Sequence, residues 1–257
     1  MKLAEIIRNS ENIVFFGGAG VSTESGIPDF RSEKGLYKAQ EIYGHAPEYL
    51  LSYSCFRRKQ DLFFRYYKEN MIHKDAKPNA AHYALARLEE IGKLKMVVTQ
   101  NVDGLHQAAG SKNVAELHGA NSRQYCVSCA KKYPLEYILE PANCAGFIPK
   151  CACGGVVRPD VVLYEEQLDQ KVINRAVKAI QAADCLIIGG TSLAVYPAAG
   201  LVNYLPEGGA LVLINKGETA YDGACDLVIR DSIGEVLGKV MRDFINHEKH
   251  KKHEKIL

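Results

Sequence analysis

Four of the eight cysteines fall into two closely spaced pairs, a pattern typical of metal ligands. Cys126 and Cys129 enclose two residues, whereas Cys151 and Cys153 enclose one. In a reducing compartment such paired cysteines indicate a metal site rather than disulfides. Four thiolates complete a tetrahedral zinc site without leaving a position for water, so the predicted zinc is structural. The alternative is that the four are unrelated free thiols.

A glycine-rich loop is the second candidate for chemistry. It reads Gly18-Ala19-Gly20-Val21-Ser22 and follows an apolar run. Glycines let backbone N–H groups approach a phosphate closely, as in dinucleotide-binding loops. The full dinucleotide pattern has a third glycine where this chain has Thr23, so the loop alone fits a plain tight turn equally well. Phe30 and Arg31 follow, and they could shield a reactive ring and bind phosphate.

The polar segment Gln100–His106 is the third candidate, because it directly follows another apolar run. Asn101 and Asp103 could bind ribose hydroxyls or a carboxamide, although turns favour the same residue types. His118 comes shortly afterwards, and a neutral imidazole is the natural base near neutral pH. Since a single histidine is more often structural than catalytic, the structural interpretation is preferred for two others, His73 and His82.

The elements that must position these residues alternate between strands and helices. Apolar runs predict strands at 12–16, 94–99, 161–163, 185–188, 210–214 and 227–229. Helical spacing of apolar residues predicts helices at 79–91, 172–180 and 233–244. This alternation predicts an α/β fold with a mostly parallel sheet covered on both faces. Because such sheets bind ligands beyond the carboxyl ends of their strands, the loops that follow strands are expected to carry the function.

Composition limits the function classes. The chain has 257 residues, of which 47% are hydrophobic, enough for one sizeable domain with a smaller appendage. The net charge of +2 argues neither for nor against a nucleic-acid partner, but the basic residues near the cysteines form no dense stripe with stacked aromatics, so none is expected. With no signal-peptide pattern and no apolar run long enough to cross a bilayer, we expect a cytoplasmic protein without membrane contact.

Together these motifs resemble the signature of the sirtuins, NAD-dependent protein-lysine deacylases, in their bacterial form. The resemblance covers residues 12 to about 235 and is carried, in the family's order, by residues 18–22, 25–31, 99–103, 116–119, the four cysteines, Arg158-Pro159 and residues 190–193. It implies an inverted Rossmann-type parallel sheet domain formed by residues 1–37, 79–120 and 158–257. A small zinc-binding domain would combine two insertions, a helical one at 38–78 and a zinc module at 121–157.

The resemblance also implies the site residues. The adenosine and phosphates of NAD would contact Gly18, Ala19, Gly20, Thr23, Arg31, Thr191, Ser192, Asn215 and Ile233. The nicotinamide and its ribose would contact Ser22, Phe30, Gln100, Asn101, Val102 and Asp103. His118 would be the catalytic base, with Asn101 as a second catalytic residue. The acylated peptide would bind along Val161, Leu163, Glu165 and Val195, where Glu165 replaces a glycine of the family. One structural zinc would be held by Cys126, Cys129, Cys151 and Cys153.

The implied reaction transfers an acyl group from a protein lysine to ADP-ribose and releases nicotinamide. Tyr67 stands where members that prefer succinyl groups carry an arginine, so acetyl and longer apolar acyl groups are the expected substrates. Two other functions fit the same residues: a protein ADP-ribosyltransferase on the same scaffold, and a non-catalytic NAD-sensing module. A monomer is compatible with the sequence.

Overall fold

The computed structural model describes residues 2–28 and 39–254. The strands within these residues are β1 (Ile13–Gly17), β2 (Leu94–Thr99), β3 (Val114–Glu116), β4 (Gly119–Cys126), β5 (Lys132–Pro134), β6 (Cys144–Ala145), β7 (Ile148–Pro149), β8 (Val157–Val161), β9 (Cys185–Gly189), β10 (Ala210–Ile214) and β11 (Leu227–Ile229). The helices discussed below are α1 (Leu3–Asn9), α2 (Pro47–Leu50), α3 (Tyr53–Arg58), α4 (Gln60–Asn70), α5 (Ala80–Glu90), α6 (Leu105–Ala108), α7 (Leu135–Leu139), α8 (Gln170–Gln181) and α9 (Ile233–Glu254).

Six strands form one parallel sheet in the order β3-β2-β1-β9-β10-β11. When these six strands alone are counted along the chain, this is the 3-2-1-4-5-6 order of dinucleotide-binding sheets, which confirms the predicted α/β class. Gly17 at the end of β1 pairs with Thr99 on one side and Gly189 on the other. The loops that follow these three strands therefore begin at the same edge of the sheet.

Helices cover both faces of this sheet. Along β1, Ile13 and Phe15 pack against α1, α5 and α9, whereas Val14 and Phe16 face the opposite layer, which contains α8. All five residues of β1 are buried, because a parallel strand covered on both faces is apolar throughout rather than alternating. Asn79 caps the start of α5 by accepting a hydrogen bond from the Ala81 N–H at 2.9 Å.

The two predicted insertions share a hydrophobic core that is separate from the cores of the large sheet. In it, Phe56 and Phe63 from the helical segment pack with Cys126, Ile138 and other residues of the cysteine-rich segment. Strands β5, β4 and β8 form an antiparallel sheet beside this core, and β6 pairs with β7. This arrangement agrees with a small domain built from two insertions, and the exact domain boundaries stay predictions.

Some elements differ from the sequence predictions. The strand predicted at 161–163 is wrong: β8 ends at Val161, where its pairing with Gly119 of β4 ends. Beyond it, the Val162 N–H donates to the His118 carbonyl at 3.0 Å. The last helix, predicted to end at residue 244, continues to Glu254. Among the described helices, none combines the length and apolar composition needed to span a bilayer.

Candidate active site

The glycine loop after β1 is pressed against the loop after β9, backbone to backbone. The Gly20 N–H donates to the Gly190 carbonyl at 2.8 Å. A Cβ atom on Gly20 would lie 2.8 Å from the Gly190 Cα, and one on Gly18 would lie 2.9 Å from the Thr191 Cβ. Side chains at these two positions would force the loops apart. The glycines are therefore required by close packing, and the loop places its backbone beside Thr191.

A hydrogen-bond network joins the three loops at the carboxyl edge of the sheet. The Asn101 side-chain amide donates to the Ser22 hydroxyl at 3.0 Å, and that hydroxyl donates to Asp103 at 2.7 Å. The second carboxylate oxygen of Asp103 accepts from the Leu105 N–H at 2.9 Å, at the start of α6. The side chain of Gln100 lies 3.3 Å from the Thr191 hydroxyl. These polar side chains are thus held in fixed orientations.

The imidazole of His118 is oriented by the strand end beside it. Its Nδ1 atom lies 2.9 Å from the backbone carbonyl of Gln100. Since a carbonyl oxygen only accepts, Nδ1 carries the proton and, in the neutral ring, Nε2 is the basic nitrogen. Gly119 follows with φ +77°, and a Cβ there would lie 2.0 Å from the Asp160 carbonyl. The His-Gly pair is therefore fixed by close contact with β8.

A first cavity of about 230 Å³ opens between the sheet edge and the small domain. It brings together eleven of the predicted residues: Ala19, Ser22, Gln100, Asn101, Val102, Asp103, His118, Val161, Leu163, Glu165 and Val195. These are the residues predicted for the nicotinamide ribose, the base and the peptide, with Ala19 from the phosphate loop. The lining agrees with a site where a base, a ribose and an acylated side chain meet, while the individual roles stay predictions.

A second cavity of about 250 Å³ lies across the glycine loop. Six predicted residues line it: Gly20, Thr23, Thr191, Ser192, Asn215 and Ile233. All six come from the set predicted for the adenosine and phosphates. Gly18 lines neither of these two cavities, and the predicted Phe30 and Arg31 lie outside the described residues. Ala19 lines the first cavity and its neighbour Gly20 lines the second, so the two cavities adjoin at the glycine loop and one extended ligand could occupy both.

Asn121 is a cleft residue that sequence reasoning missed. Its side-chain oxygen accepts from the Tyr67 hydroxyl at 2.5 Å, and its side-chain nitrogen donates to the Met71 carbonyl at 2.5 Å. Burial raises the pKa of Tyr67, so the phenol stays protonated. The sequence signal is only that Asn121 closely follows His118-Gly119. His73, interpreted as structural, also lines the first cavity.

The predicted metal ligands converge. The four sulfur atoms of Cys126, Cys129, Cys151 and Cys153 lie within 4.8 Å of one another, with two of the distances 3.5 and 3.6 Å. Zn–S bonds of about 2.3 Å in a tetrahedron place sulfurs about 3.8 Å apart, so this set fits zinc. The Tyr133 hydroxyl lies 3.0 Å from the Cys151 sulfur, a further contact to the thiolate.

Comparison with models of protein families matches residues 18–197 to the Sir2 family. The matched span contains the glycine loop, the polar loop, His118 and all four ligand cysteines. The chain belongs to the Sir2 family.

Relatives and solved structures of this Sir2-family chain cover nearly its whole length. A protein of Clostridium acetobutylicum named NAD-dependent protein deacetylase is 60% identical over 93% of this chain and 97% of its own. A solved Sir2 enzyme with a deacetylated p53 peptide and 3'-O-acetyl ADP ribose superposes with a TM-score of 0.86, at 38% identity, over 95% of this chain and 98% of its own. A Sir2 structure with p53 peptide and NAD superposes with a TM-score of 0.80, at 38% identity, over 93% of this chain and 95% of its own.

Proposed function

We propose that this Sir2-family enzyme is an NAD-dependent protein-lysine deacylase that transfers the acyl group to ADP-ribose and releases nicotinamide. The observation that carries the proposal is the first cavity, where His118 shares the lining with the Asn101–Ser22–Asp103 network and with the segment predicted to bind peptide. The names of the relatives and the ligands in the related structures support it.

The second cavity is suited to the adenosine and phosphates of NAD. The glycine loop allows a phosphate to approach its backbone, and Ser192 adds a hydroxyl, whereas the Thr23 hydroxyl donates to the Gly20 carbonyl at 3.0 Å. Asn215 offers an amide to sugar hydroxyls, and Ile233 an apolar surface. The charged residues of the lining are Lys216, Glu24 and Asp231, none of them predicted from the sequence, and Lys216 is the one that could bind a phosphate directly. These contacts would hold NAD with its nicotinamide end in the first cavity.

In the first cavity, the polar loop would orient the nicotinamide and its ribose. Asn101 and Asp103 are fixed through Ser22, so their polar atoms need little reorganisation when NAD binds. Bound NAD would supply a ribose carbon that becomes electrophilic when nicotinamide departs. The surrounding apolar side chains, Val102 among them, exclude water, which favours acyl transfer over hydrolysis.

His118 would accept a proton from a ribose hydroxyl at Nε2. The hydrogen bond from Nδ1 to the Gln100 carbonyl selects this tautomer and stabilises the imidazolium that forms. The same bond fixes the plane of the ring, so the base is oriented before substrates arrive.

The acylated peptide would bind as an added strand along Val161, Leu163, Glu165 and Val195. All four line the first cavity. Glu165 has φ +76°, a backbone conformation that favours glycine, and its carboxylate accepts from the Ser54 N–H at 2.9 Å at the start of α3. This carboxylate therefore connects the peptide segment to the helical insertion.

The zinc would be structural, and the small domain would comprise residues 38–78 and 121–157. Four cysteine ligands complete the coordination, and their thiolates would hold together a segment that shares its hydrophobic core with the helical insertion rather than forming one alone.

The test compares the wild-type protein with His118→Ala. An acetyl-lysine peptide and NAD are supplied, and nicotinamide and deacylated peptide are measured. We expect deacylation to fall by about 100-fold or more, the loss typical of a missing general base, while NAD binding by calorimetry persists. His45→Ala, on a partly exposed ring outside both cavities, is the matched control. Unchanged turnover in His118→Ala contradicts the mechanism, and transfer of ADP-ribose to protein without loss of acyl groups favours the transferase alternative.

A further inference from the structure

An ion pair between the buried Arg158 and the partly buried Glu166 lies at the segment that would bind the peptide, and Glu166 itself lines the first cavity. The Arg158 side chain is 5% exposed, and its guanidinium donates to both carboxylate oxygens of Glu166, at 2.6 and 2.9 Å. The same guanidinium donates to the Val161 carbonyl at 2.8 Å. Burial alone would raise the pKa of Glu166, but the bonds from Arg158 and from the Leu163 N–H lower it below its usual range, so the pair is charged.

The pair fixes the backbone of the peptide segment at two points. Glu166 accepts from the Leu163 N–H at 2.9 Å, and its own N–H donates to the Leu163 carbonyl at 3.0 Å. Arg158 holds the Val161 carbonyl, two residues earlier. Val162, between them, donates to the His118 carbonyl. The segment from Val161 to Leu163 is thus held by the ion pair at both ends, and its middle residue is hydrogen-bonded to the backbone of His118.

The guanidinium also joins the two insertions. It lies 5.1 Å from the ring centre of Phe56 on α3 and 5.7 Å from that of Tyr125 on β4. Both distances suit cation–π contacts. Tyr125 pairs with Arg158 across the β4–β8 ladder, and it directly precedes the zinc ligand Cys126. A shift of the zinc module would therefore move Arg158 and, through Glu166, the peptide segment.

Stability alone does not account for such a pair. The desolvation of the buried Arg158 and the partly buried Glu166 offsets much of their attraction, and apolar replacements of buried ion pairs are often as stable. A fixed bidentate geometry, in contrast, defines the position of the atoms around it. We infer that Arg158 and Glu166 are positioning residues that hold the peptide-binding segment against the cleft and couple it to the zinc module. This inference rests on the proposed function for the identity of the substrate.

The test uses Glu166→Gln, which removes the charge and one acceptor, and Arg158→Lys, which keeps the cation but loses the two-pronged geometry. The matched control is Asp160→Asn on the same strand, whose ion pair with Arg123 is exposed and lies outside the cavity. For each zinc-loaded variant, KM for an acetylated peptide, KM for NAD and kcat are measured. Amide hydrogen exchange at residues 162–164 is followed without substrates.

In Glu166→Gln we expect KM for the peptide to rise on the order of 10-fold, the scale of a small misplacement of a binding group, with KM for NAD within about twofold of wild type. Amide exchange at residues 162–164 is expected to accelerate, with smaller changes in Arg158→Lys and none in Asp160→Asn. Unchanged peptide KM and amide exchange in both variants would overturn the inference, as would equal rises in KM for peptide and NAD.

Failure of the proposed function is distinguishable from failure of this inference. If the wild type does not turn over the acetylated peptide, the proposed function fails, and the hydrogen exchange of the unliganded variants still decides whether the ion pair holds the segment. If Glu166→Gln does not fold, Arg158→Lys carries the same test because it leaves no unpaired carboxylate.

Discussion

Two buried histidines predict that the protein loses stability at mildly acidic pH. The rings of His82 on α5 and His106, the last residue of the polar segment, lie 4.7 Å apart, and both side chains are almost fully buried. Desolvation lowers the pKa of His82 to about 4, against a smaller opposing effect of the Asp103 charge. Desolvation and the neighbouring His82 lower the pKa of His106 to about 3. Both rings are therefore neutral in the folded protein.

The sign of the effect follows from these directions. A histidine whose pKa is lower in the folded state stabilises the fold fully above its unfolded pKa of about 6.5, and this stabilisation is lost as the pH falls below that value. At pH 5 the unfolded imidazole has gained its proton and the folded one has not. Because pH 5 lies about 1.5 units below the unfolded pKa of about 6.5, each histidine lowers the free energy of unfolding by about 2 kcal/mol, and the pair lowers it by about 4 kcal/mol.

Urea unfolding at pH 7.5 and pH 5 measures this loss in the wild type, in His106→Leu and in His82→Gln. Glutamine keeps an acceptor for the Asn79 N–H, which His82 Nδ1 accepts at 3.2 Å. Each substitution is expected to reduce the loss between the two pH values by about 2 kcal/mol. The contributions of other acid-sensitive groups, Glu166 and the zinc thiolates among them, are common to the wild type and the variants and cancel when their losses are compared. His45→Gln is the control. Equal losses in the wild type and His106→Leu would refute the reasoning.

Three further outcomes are expected. Metal analysis should find about one zinc per folded chain, and its absence from folded, active protein would refute the zinc site. Tyr133→Phe removes the hydroxyl next to Cys151 and should weaken zinc binding about 10-fold in chelator competition. Tyr137→Phe, the control, loses a hydrogen bond to the Lys150 carbonyl instead and should weaken zinc binding less. Equal zinc affinities of Tyr133→Phe and the wild type would contradict this prediction. Because Glu165 has a positive φ, Glu165→Gly should be more stable than Glu165→Ala by about 1 kcal/mol in urea unfolding, and equal stability would argue against strain there.

Much of the large domain could be predicted from sequence because its signals are local. The central strands β1 and β9 are buried along their whole length and therefore appear in the sequence as apolar runs, as at Cys185–Gly189. The short edge strand β3, Val114–Glu116, is only partly buried and gave no such signal. The glycines that follow such runs marked the loops at the carboxyl edge. The metal site could also be predicted, because two closely spaced pairs of cysteines are typical of tetrahedral zinc ligands.

Interactions between residues far apart in the sequence could not be predicted in this way. Strand β8 contains Arg158, Pro159 and Asp160, and its strand character comes from pairing with β4 rather than from an apolar pattern. For the same reason the prediction at 161–163 selected the apolar residues beyond its end. The partner of Tyr67, Asn121, is 54 positions away, and nothing local to either residue predicts the contact.

The most direct test of the central claim is the stoichiometry of the wild-type reaction. NAD is incubated with an acetyl-lysine peptide or with the same peptide unacetylated, and nicotinamide, free lysine peptide and acetylated ADP-ribose are quantified together. We expect nicotinamide release to require the acetylated peptide and the three products to form in equal amounts. Nicotinamide release at the same rate with the unacetylated peptide would contradict this expectation.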